Sequence, residues 1–184
     1  MTQPGIKFTV DDYMTAPEEK RYQLLDGQMV LAPSPTSRHQ AIVRELSAAL
    51  HRFVTEHELG QMWFAPLDVV LSDHDVAQTD LLYVSGARAG TVTEANIQGA
   101  PDLVAEVLSP GSTQHDRGYK RTLYGRSGVR EYWIVDPESR TVEVYVAGDH
   151  GLDHRATYRR HEALTSQLLP GLAIDLESVF PRRH

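Results

Sequence analysis

Two acidic residues, Asp80 and Glu106, lie within short apolar stretches of the sequence. The first stretch spans residues 79–84 and the second spans residues 101–109. Both are rich in Val and Leu and are bounded by turn residues, which predicts largely buried strands. A carboxylate in such a strand is costly to desolvate unless a cation or hydrogen-bond donors compensate its charge. The sequence therefore predicts a cation or a set of donors beside both acids.

A basic residue, Lys120, lies in the helix predicted to follow the second strand. The loop 109–113 contains good N-cap residues and precedes a helical stretch over residues 115–127. Asp116, Lys120 and Tyr124 are spaced four residues apart, so they share one face of that helix. Two carboxylates and an ammonium group are the residue set that a metal-dependent phosphodiesterase needs.

The chemistry follows from the types of these side chains. Hard cations such as Mg²⁺ or Mn²⁺ take carboxylate and carbonyl oxygens and keep several waters. Asp80, Glu106 and the backbone carbonyl of Val107 would therefore suffice as protein ligands. The metal would polarise a phosphoryl oxygen and lower the pKa of a bound water. The Lys120 ammonium would orient that water or stabilise the developing negative charge.

Several blocks of the sequence resemble one known family in order and spacing. These blocks span residues 22–27, 38–40, 101–110, 120–124 and 131–137. They are similar to the Uma-two family, bacterial endonucleases of the restriction-endonuclease-like PD-(D/E)XK superfamily, over most of the chain. The resemblance implies an α/β (α+β) fold with a restriction-endonuclease-like core. In that core, helices flank a mixed central sheet and an N-terminal β-hairpin precedes it.

The resemblance also implies particular site residues and an activity. Asp80 matches the Asp of the superfamily's second core strand, and Glu106 matches the Glu of the third. The usual position of the motif Lys, two residues after the Glu, holds Leu108, and Lys120 matches the family's Lys on the following helix. The implied activity is a metal-dependent endonuclease that hydrolyses phosphodiester bonds in nucleic acid, with DNA as the expected substrate. Replacing Lys120 with Ala is expected to cause a loss of activity, whereas the fold and metal binding are retained.

The sequence departs from the family pattern at three positions. Thr79 stands where the motif has Pro, which is a backbone preference. Gln23 and Gln28 stand where relatives often carry Glu, and either change could remove an auxiliary metal ligand. An alternative interpretation is therefore a catalytically inactive nucleic-acid-binding or scaffold protein that retains the nuclease fold.

Three further residues each admit two interpretations. Asp102 precedes Glu106 by four residues on the same strand face, but the two would lie about 13 Å apart, too far to share one ion. Asp68 alternates with apolar neighbours and is either a third acid of the site or part of a solvated strand face. His39 lies at the start of a predicted amphipathic helix, where it either approaches the substrate or caps and packs the helix.

With a net charge of −7, the protein lacks the basic character of a typical DNA-binding domain. Positive charge is instead concentrated around the proposed catalytic helix, at Arg117, Lys120, Arg121, Arg126 and Arg130. This concentration is either a local surface for nucleic acid or a solvated helix face. For Asp116 and Lys120, the corresponding alternative is an ordinary surface ion pair.

Length and composition set the remaining expectations. The 184 residues suit a single domain over residues 1–184, with a polar lead-in over residues 1–20. Cys is absent, which excludes disulfides and thiol chemistry. No signal sequence or apolar stretch of membrane-spanning length occurs, so we expect a cytoplasmic protein without a membrane partner. A homo-oligomer is expected because a small nuclease must cut two strands.

The elements that must position these residues follow from the hydrophobic pattern. A short helix is predicted near Thr9, a hairpin at Asp26–Gly27 and one further strand in the tail after Arg155. The other predicted helices span residues 37–58 and 115–127, and the other predicted strands lie near 62–72, 79–84, 102–109, 131–136 and 141–147.

Overall fold

The computed structural model describes residues 7–16 and 22–180. The helices are α1 (Val10–Met14), α2 (Ser37–Glu56), α3 (Thr113–His115), α4 (Arg121–Ser127) and α5 (Leu176–Val179). The strands are β1 (Tyr22–Leu25), β2 (Gln28–Leu31), β3 (Gly60–Phe64), β4 (Asp68–Ser72), β5 (Asp75–Gln78), β6 (Leu81–Ser85), β7 (Ile97–Gln98), β8 (Leu103–Val107), β9 (Glu131–Asp136), β10 (Thr141–Gly148), β11 (Gly151–Arg159), β12 (Ala163–Thr165) and β13 (Ala173–Asp175).

A six-stranded sheet in the order β11-β10-β9-β8-β6-β3 forms the centre of the fold. Strands β8 and β9 are parallel, and the other neighbours are antiparallel, so the sheet is mixed. Parallel neighbours need a crossover connection. Here the crossover consists of α3, a π-helical turn at Asp116–Lys120 and α4. The topology therefore brings the segment with Lys120 back across the sheet beside β8.

Alternation along β8 decides which side of the sheet each side chain faces. Leu103, Ala105 and Val107 belong to the core that includes the buried residues of α2. Val104 belongs to the opposite core, which includes the buried residues of α4. Glu106 shares the parity of Val104, so its side chain points toward α4 and the crossover.

Helix α2 covers one face of the central sheet. Its apolar residues Ile42, Leu46, Leu50 and Val54 recur every four positions and are fully buried. Each such side chain stabilises the fold by about 1.5–3 kcal/mol. The Thr36 hydroxyl accepts a hydrogen bond from the third residue of the helix and caps its N-terminus. The helix therefore begins in a fixed position at the end of the sheet where the site lies.

A second sheet, in the order β2-β1-β5-β4-β7, packs against the other face. Asp26 and Gly27 both have positive φ angles, 52° and 72°, as a type I′ hairpin turn requires. The predicted hairpin at these residues is therefore confirmed. Leu25 and Ala77 of this sheet share a core with buried residues of α4. The second sheet and α4 thus enclose the side of the central sheet that carries Glu106.

Most predicted elements are confirmed, but several differ from the prediction. The strand predicted near 62–72 is two strands, β3 and β4, because Pro66 lacks the N–H needed to continue a ladder. Strand β5 was not expected. The strand predicted over 79–84 begins one residue after Asp80, and the predicted second helix contains the π-helical turn. The tail has a longer strand, β11, that begins at Gly151, and a small sheet of β12 and β13.

The N-terminal prediction is confirmed where the structure describes it. The short helix predicted near Thr9 is α1, which Thr9 caps through a reciprocal capping box with Asp12. The rest of the predicted lead-in, residues 1–6 and 17–20, lies outside the described residues. No helix among residues 7–16 and 22–180 is long and apolar enough to cross a membrane.

Candidate active site

Asp80 and Glu106 lie opposite each other at the same end of two neighbouring strands. Leu81 of β6 pairs with Ala105 of β8 in an antiparallel register, and extending this register by one residue brings Asp80 opposite Glu106. Directly opposed residues share a face, with Cβ atoms about 4.5–5.5 Å apart. Two carboxylates in such positions repel each other. The backbone geometry therefore requires positive charge or donors between the acids.

Asp80 receives two hydrogen-bond contacts at one carboxylate oxygen. The backbone N–H of Val107 donates to Oδ2 over 2.7 Å, and Nε2 of His39 lies 3.1 Å from the same atom. Pairing between β6 and β8 ends at Leu81, so the Asp80 side chain supplies the acceptor for Val107. Asp80 is consequently fixed to the strand that carries Glu106.

His39 reaches this position from the first turn of α2. The side chain is buried, and Nδ1 has no hydrogen-bond partner. Burial lowers the pKa of His39, but the hydrogen bond and charge of Asp80, together with the charge of Glu106, raise it overall. The sequence left open whether this histidine approaches the site. The structure brings it to Asp80, and its block at residues 38–40 was the signal in the sequence.

Glu106 is held from the helical side by two donors. Lys120 Nζ donates to Oε1 over 3.0 Å, and the Tyr124 hydroxyl donates to the same oxygen over 2.6 Å. Burial raises the pKa of Glu106 above its ordinary value, although the charge of Lys120 opposes this rise. The predicted convergence of Lys120 and Glu106 is therefore observed.

Lys120 is buried between two acids. Its ammonium lies 3.1 Å from Asp116 Oδ1, and the exposed fractions of the two side chains are 3% and 1%. Burial acts to lower the pKa of Lys120, but the charges of Glu106 and Asp116 outweigh this effect. The pKa of Lys120 is therefore raised above its ordinary value. The alternative interpretation of Asp116 and Lys120 as a surface pair is therefore wrong, because the helix face that carries them packs against the central sheet.

The π-helical turn at Asp116–Lys120 contributes to this arrangement. Such turns widen the helix locally and are frequent at functional sites. The hydroxyl of Tyr132 on β9 donates to the backbone carbonyl of Asp116 over 3.1 Å. This bond fixes the turn against the central sheet and so fixes the position of Lys120.

Negative charge exceeds positive charge within this cluster. Asp80, Glu106 and Asp116 are three carboxylates, whereas Lys120 supplies one permanent positive charge and His39 supplies a second only when protonated. A divalent cation would balance the excess, and the oxygen donors suit Mg²⁺ or Mn²⁺. Among the described residues, however, no three His, Cys, Asp or Glu side chains are grouped to hold an ion. A cation here would therefore use the two opposed carboxylates, backbone oxygen and water.

The cluster opens into a cavity of about 180 Å³. Its walls include Asp80, Glu106, Val107, Lys120 and His39. The connection from β2 to α2, the segment after β3 and the loop after β8 supply further walls, together with Gln23, Gln40 and Gln78. The cavity thus provides access from solvent to both acids and to the strand backbone beside them.

The two glutamines of the N-terminal hairpin have different positions. Gln23 lines the cavity, and its Oε1 accepts a hydrogen bond from the backbone N–H of Gln78 over 3.2 Å. Gln28 is exposed on β2 and is not a cavity residue. Only the Gln23 position could therefore influence a cation in the cavity.

The other acids considered from the sequence have structural partners. Asp102 is buried, accepts a hydrogen bond from Ser85 N–H over 2.7 Å and lies 3.4 Å from both Arg88 and Arg130. Asp68 accepts hydrogen bonds of 2.9 Å from the Tyr13 hydroxyl and from the Gln78 amide. Neither acid lines the cavity.

The basic residues near the helix are also paired. Arg117 contacts Glu143 over 2.7 Å, and Arg126 contacts Asp75 over 2.8 Å. The guanidinium of Arg121 lies over the ring of Tyr145, 5.2 Å from its centroid. These contacts neutralise or occupy much of the positive charge that the sequence concentrates here.

Comparison with known proteins agrees with this fold. A solved structure titled "a putative nuclease belonging to DUF820", from Anabaena variabilis ATCC 29413, superposes with a TM-score of 0.77. It is 21% identical, and the match covers 94% of this chain and 97% of that chain. At this identity the match shows a shared fold, a mixed sheet flanked by helices of the restriction-endonuclease-like class.

The family follows from a match along the sequence. The model of the Uma2 family, described as "Putative restriction endonuclease", matches residues 10–177. The chain therefore belongs to the Uma2 family, as the motif blocks predicted, and this membership supports a nuclease function. No curated protein gave a significant match.

Proposed function

We propose that the protein is a metal-dependent endonuclease that hydrolyses phosphodiester bonds in nucleic acid, with DNA as its substrate. The observation that carries this proposal is the convergence of Asp80, Glu106 and Lys120 on one solvent-accessible cavity. Asp80, Glu106 and the carbonyl of Val107 would hold Mg²⁺ or Mn²⁺. Residues 1–184 would form the single domain that carries this site.

The roles of the residues follow from their contacts. A bound divalent ion would polarise the phosphoryl group and lower the pKa of a water molecule. Val107 N–H and His39 fix the orientation of the Asp80 carboxylate. Lys120 holds Glu106 and supplies positive charge in a buried setting, where such a charge stabilises a developing anion most strongly.

The test is a cleavage assay with Mg²⁺ or Mn²⁺ on single-stranded, duplex and branched DNA and on RNA. Glu106→Gln and Asp80→Asn are expected to reduce the rate by about 10²-fold or more, as for a lost electrostatic stabiliser. Asp68→Asn is the matched control, because this acid lies outside the cavity, and it should retain activity.

Metal binding is measured separately by calorimetry with Mn²⁺. Asp80→Ala should weaken binding, whereas Asp68→Ala should not. Equal affinities of the wild type and Asp80→Ala would contradict the ligand assignment. Absence of metal-dependent cleavage on every substrate would favour the inactive nucleic-acid-binding or scaffold protein, and equal residual cleavage in all variants would indicate a contaminating nuclease.

A further inference from the structure

Strand β3 forms one edge of the central six-stranded sheet. It pairs with β6 on one side. On its other side, no strand within residues 7–16 and 22–180 pairs with it. A row of backbone donors and acceptors on such an edge is a template for another strand.

The contacts at both ends of the strand show which residues face β6. Gly86 N–H donates to the Leu59 carbonyl over 3.2 Å, and Ala65 N–H donates to the Asp80 carbonyl over 3.1 Å. Odd-numbered residues on this segment thus point their backbone groups toward β6. Because antiparallel pairing alternates, the even-numbered residues point theirs outward.

The outward-facing residues are Gly60, Met62 and Phe64. In the described part of the chain, no backbone group of these three has a hydrogen-bond partner outside the ladder with β6. Sheet edges are usually protected by charged residues, proline or a bulge, but β3 contains no charged residue or proline and pairs with β6 without a bulge. Phe64 is 59% exposed on this unprotected edge.

Two cavities flank the same edge on opposite faces of the sheet. One, of about 260 Å³, lies beside α2 and is lined by Val54 and Met62. The other, of about 370 Å³, lies on the opposite face and is lined by Val84 and Val92. Alternate side chains of an added strand point to opposite faces, so each face offers space for them.

We propose that β3 pairs antiparallel with the β3 of a second copy of this chain, about a two-fold axis at Met62. In this register Met62 lies opposite the partner's Met62, and Gly60 lies opposite the partner's Phe64. All three residue pairs then join outward-facing groups, so every free donor and acceptor on the edge is used. No other register about a two-fold axis pairs all three outward-facing residues.

Side chains favour the same register. Gly60 has a φ angle of 143° and no side chain, and a Cβ at this position would clash with the Val84 carbonyl oxygen of β6. An aromatic ring on a facing strand can cover the backbone of such an edge glycine. Phe64 is the exposed aromatic residue of the strand, and the two-fold axis places it opposite the partner's Gly60. The strand is thus complementary to itself in backbone and in side-chain size, which argues for a second copy over an unrelated peptide.

Cysteine cross-linking tests the register, because the chain contains no Cys. In Met62→Cys the two thiols would face each other with Cα atoms about 5.5 Å apart, within the range of a disulfide. In the control Phe64→Cys, the two thiols would be separated by four residues, about 13 Å along the strands. Oxidation is expected to link Met62→Cys into a dimer and to leave Phe64→Cys unlinked.

Sedimentation velocity tests the association without cross-linking. The wild type should sediment as a dimer, and Phe64→Lys should raise the dissociation constant by about 10-fold or more, because charge on a sheet edge opposes pairing. Leu31→Lys is the matched control, since Leu31 is 57% exposed on β2 of the other sheet, and it should leave the dimer intact.

Three results would overturn the proposal. These are a wild type that stays monomeric at all concentrations, a dimer that Leu31→Lys dissociates and Phe64→Lys does not, and equal cross-linking of both cysteine variants. The outcome is independent of cleavage activity, because Phe64 and Met62 do not line the catalytic cavity.

Discussion

Replacing Lys120 with Met removes the charge at the centre of the buried cluster and keeps a side chain of similar length. Glu106 and Asp116 would then lie together without the ammonium that contacts both. Removing one partner of a buried ion pair typically costs about 3–5 kcal/mol of stability. We therefore expect the free energy of unfolding to fall by this amount at pH 7 without metal.

A second route gives a similar magnitude. Without Lys120, Glu106 can avoid its unpaired charge by binding a proton. The pKa of Glu106 would ordinarily be 4.5, so holding the proton at pH 7 costs about 1.4 kcal/mol per pH unit, or about 3.5 kcal/mol. The pKa of Glu106 in the folded protein is raised above its ordinary value, so the cost of holding this proton falls as the pH falls toward 4.5. The loss in Lys120→Met should accordingly be smaller at pH 5 than at pH 7.

Urea unfolding in metal-free buffer at both pH values measures these differences. Arg121→Met is the matched control, because Arg121 is exposed on the next helical position and its loss should cost at most about 1 kcal/mol. A Lys120→Met protein within 1 kcal/mol of the wild type at pH 7 would refute the buried ion pair. From the buried ion pair we expect Lys120→Ala to lose stability as well as activity, whereas the sequence alone predicts that its fold is retained.

Two further predictions concern His39 in the cavity wall and Asp75 of β5. His39→Ala removes one contact to the Asp80 carboxylate and is expected to weaken Mn²⁺ binding by about 10-fold. His39→Gln should recover part of this affinity. Calorimetry that gives equal affinities for the wild type and His39→Ala would exclude a positioning role for His39. Burial acts to raise the pKa of Asp75, but hydrogen bonds led by the Tyr119 hydroxyl lower it below 3.8, so its stabilisation is present above about pH 4 and is lost as the pH falls further. Thermal unfolding of Asp75→Asn should consequently depend less on pH below 4 than that of the wild type, and parallel profiles would contradict this assignment.

Much of the site could be predicted because its residues lie in patterns of short range. Asp80 and Glu106 stand in two apolar runs, and Lys120 follows at a helical spacing from Asp116. Such periodicity fixes which residues share a face. The hairpin could also be predicted, because the Asp-Gly turn at residues 26–27 is itself a local signal.

The structure differs from the sequence predictions where contacts join distant parts of the chain. Strand β5 is only four residues long and is defined by pairing with β1 and β4, which no local pattern reveals. Arg126 pairs with Asp75, 51 residues earlier in the chain. The sequence shows a cluster of basic residues, but it does not show that their acidic partners come from the two sheets.

The pairing of these basic residues with acids affects how the protein would bind a negatively charged substrate. Arg117 and Arg126 contact acids of their own, and Lys120 is shared by Glu106 and Asp116, so the cluster offers little uncompensated positive charge to a phosphate. The excess of carboxylates would repel a nucleic-acid backbone. In the proposed mechanism, a divalent cation held by Asp80 and Glu106 would balance this local negative charge. Substrate binding at the cavity, and not hydrolysis alone, would therefore depend on the metal.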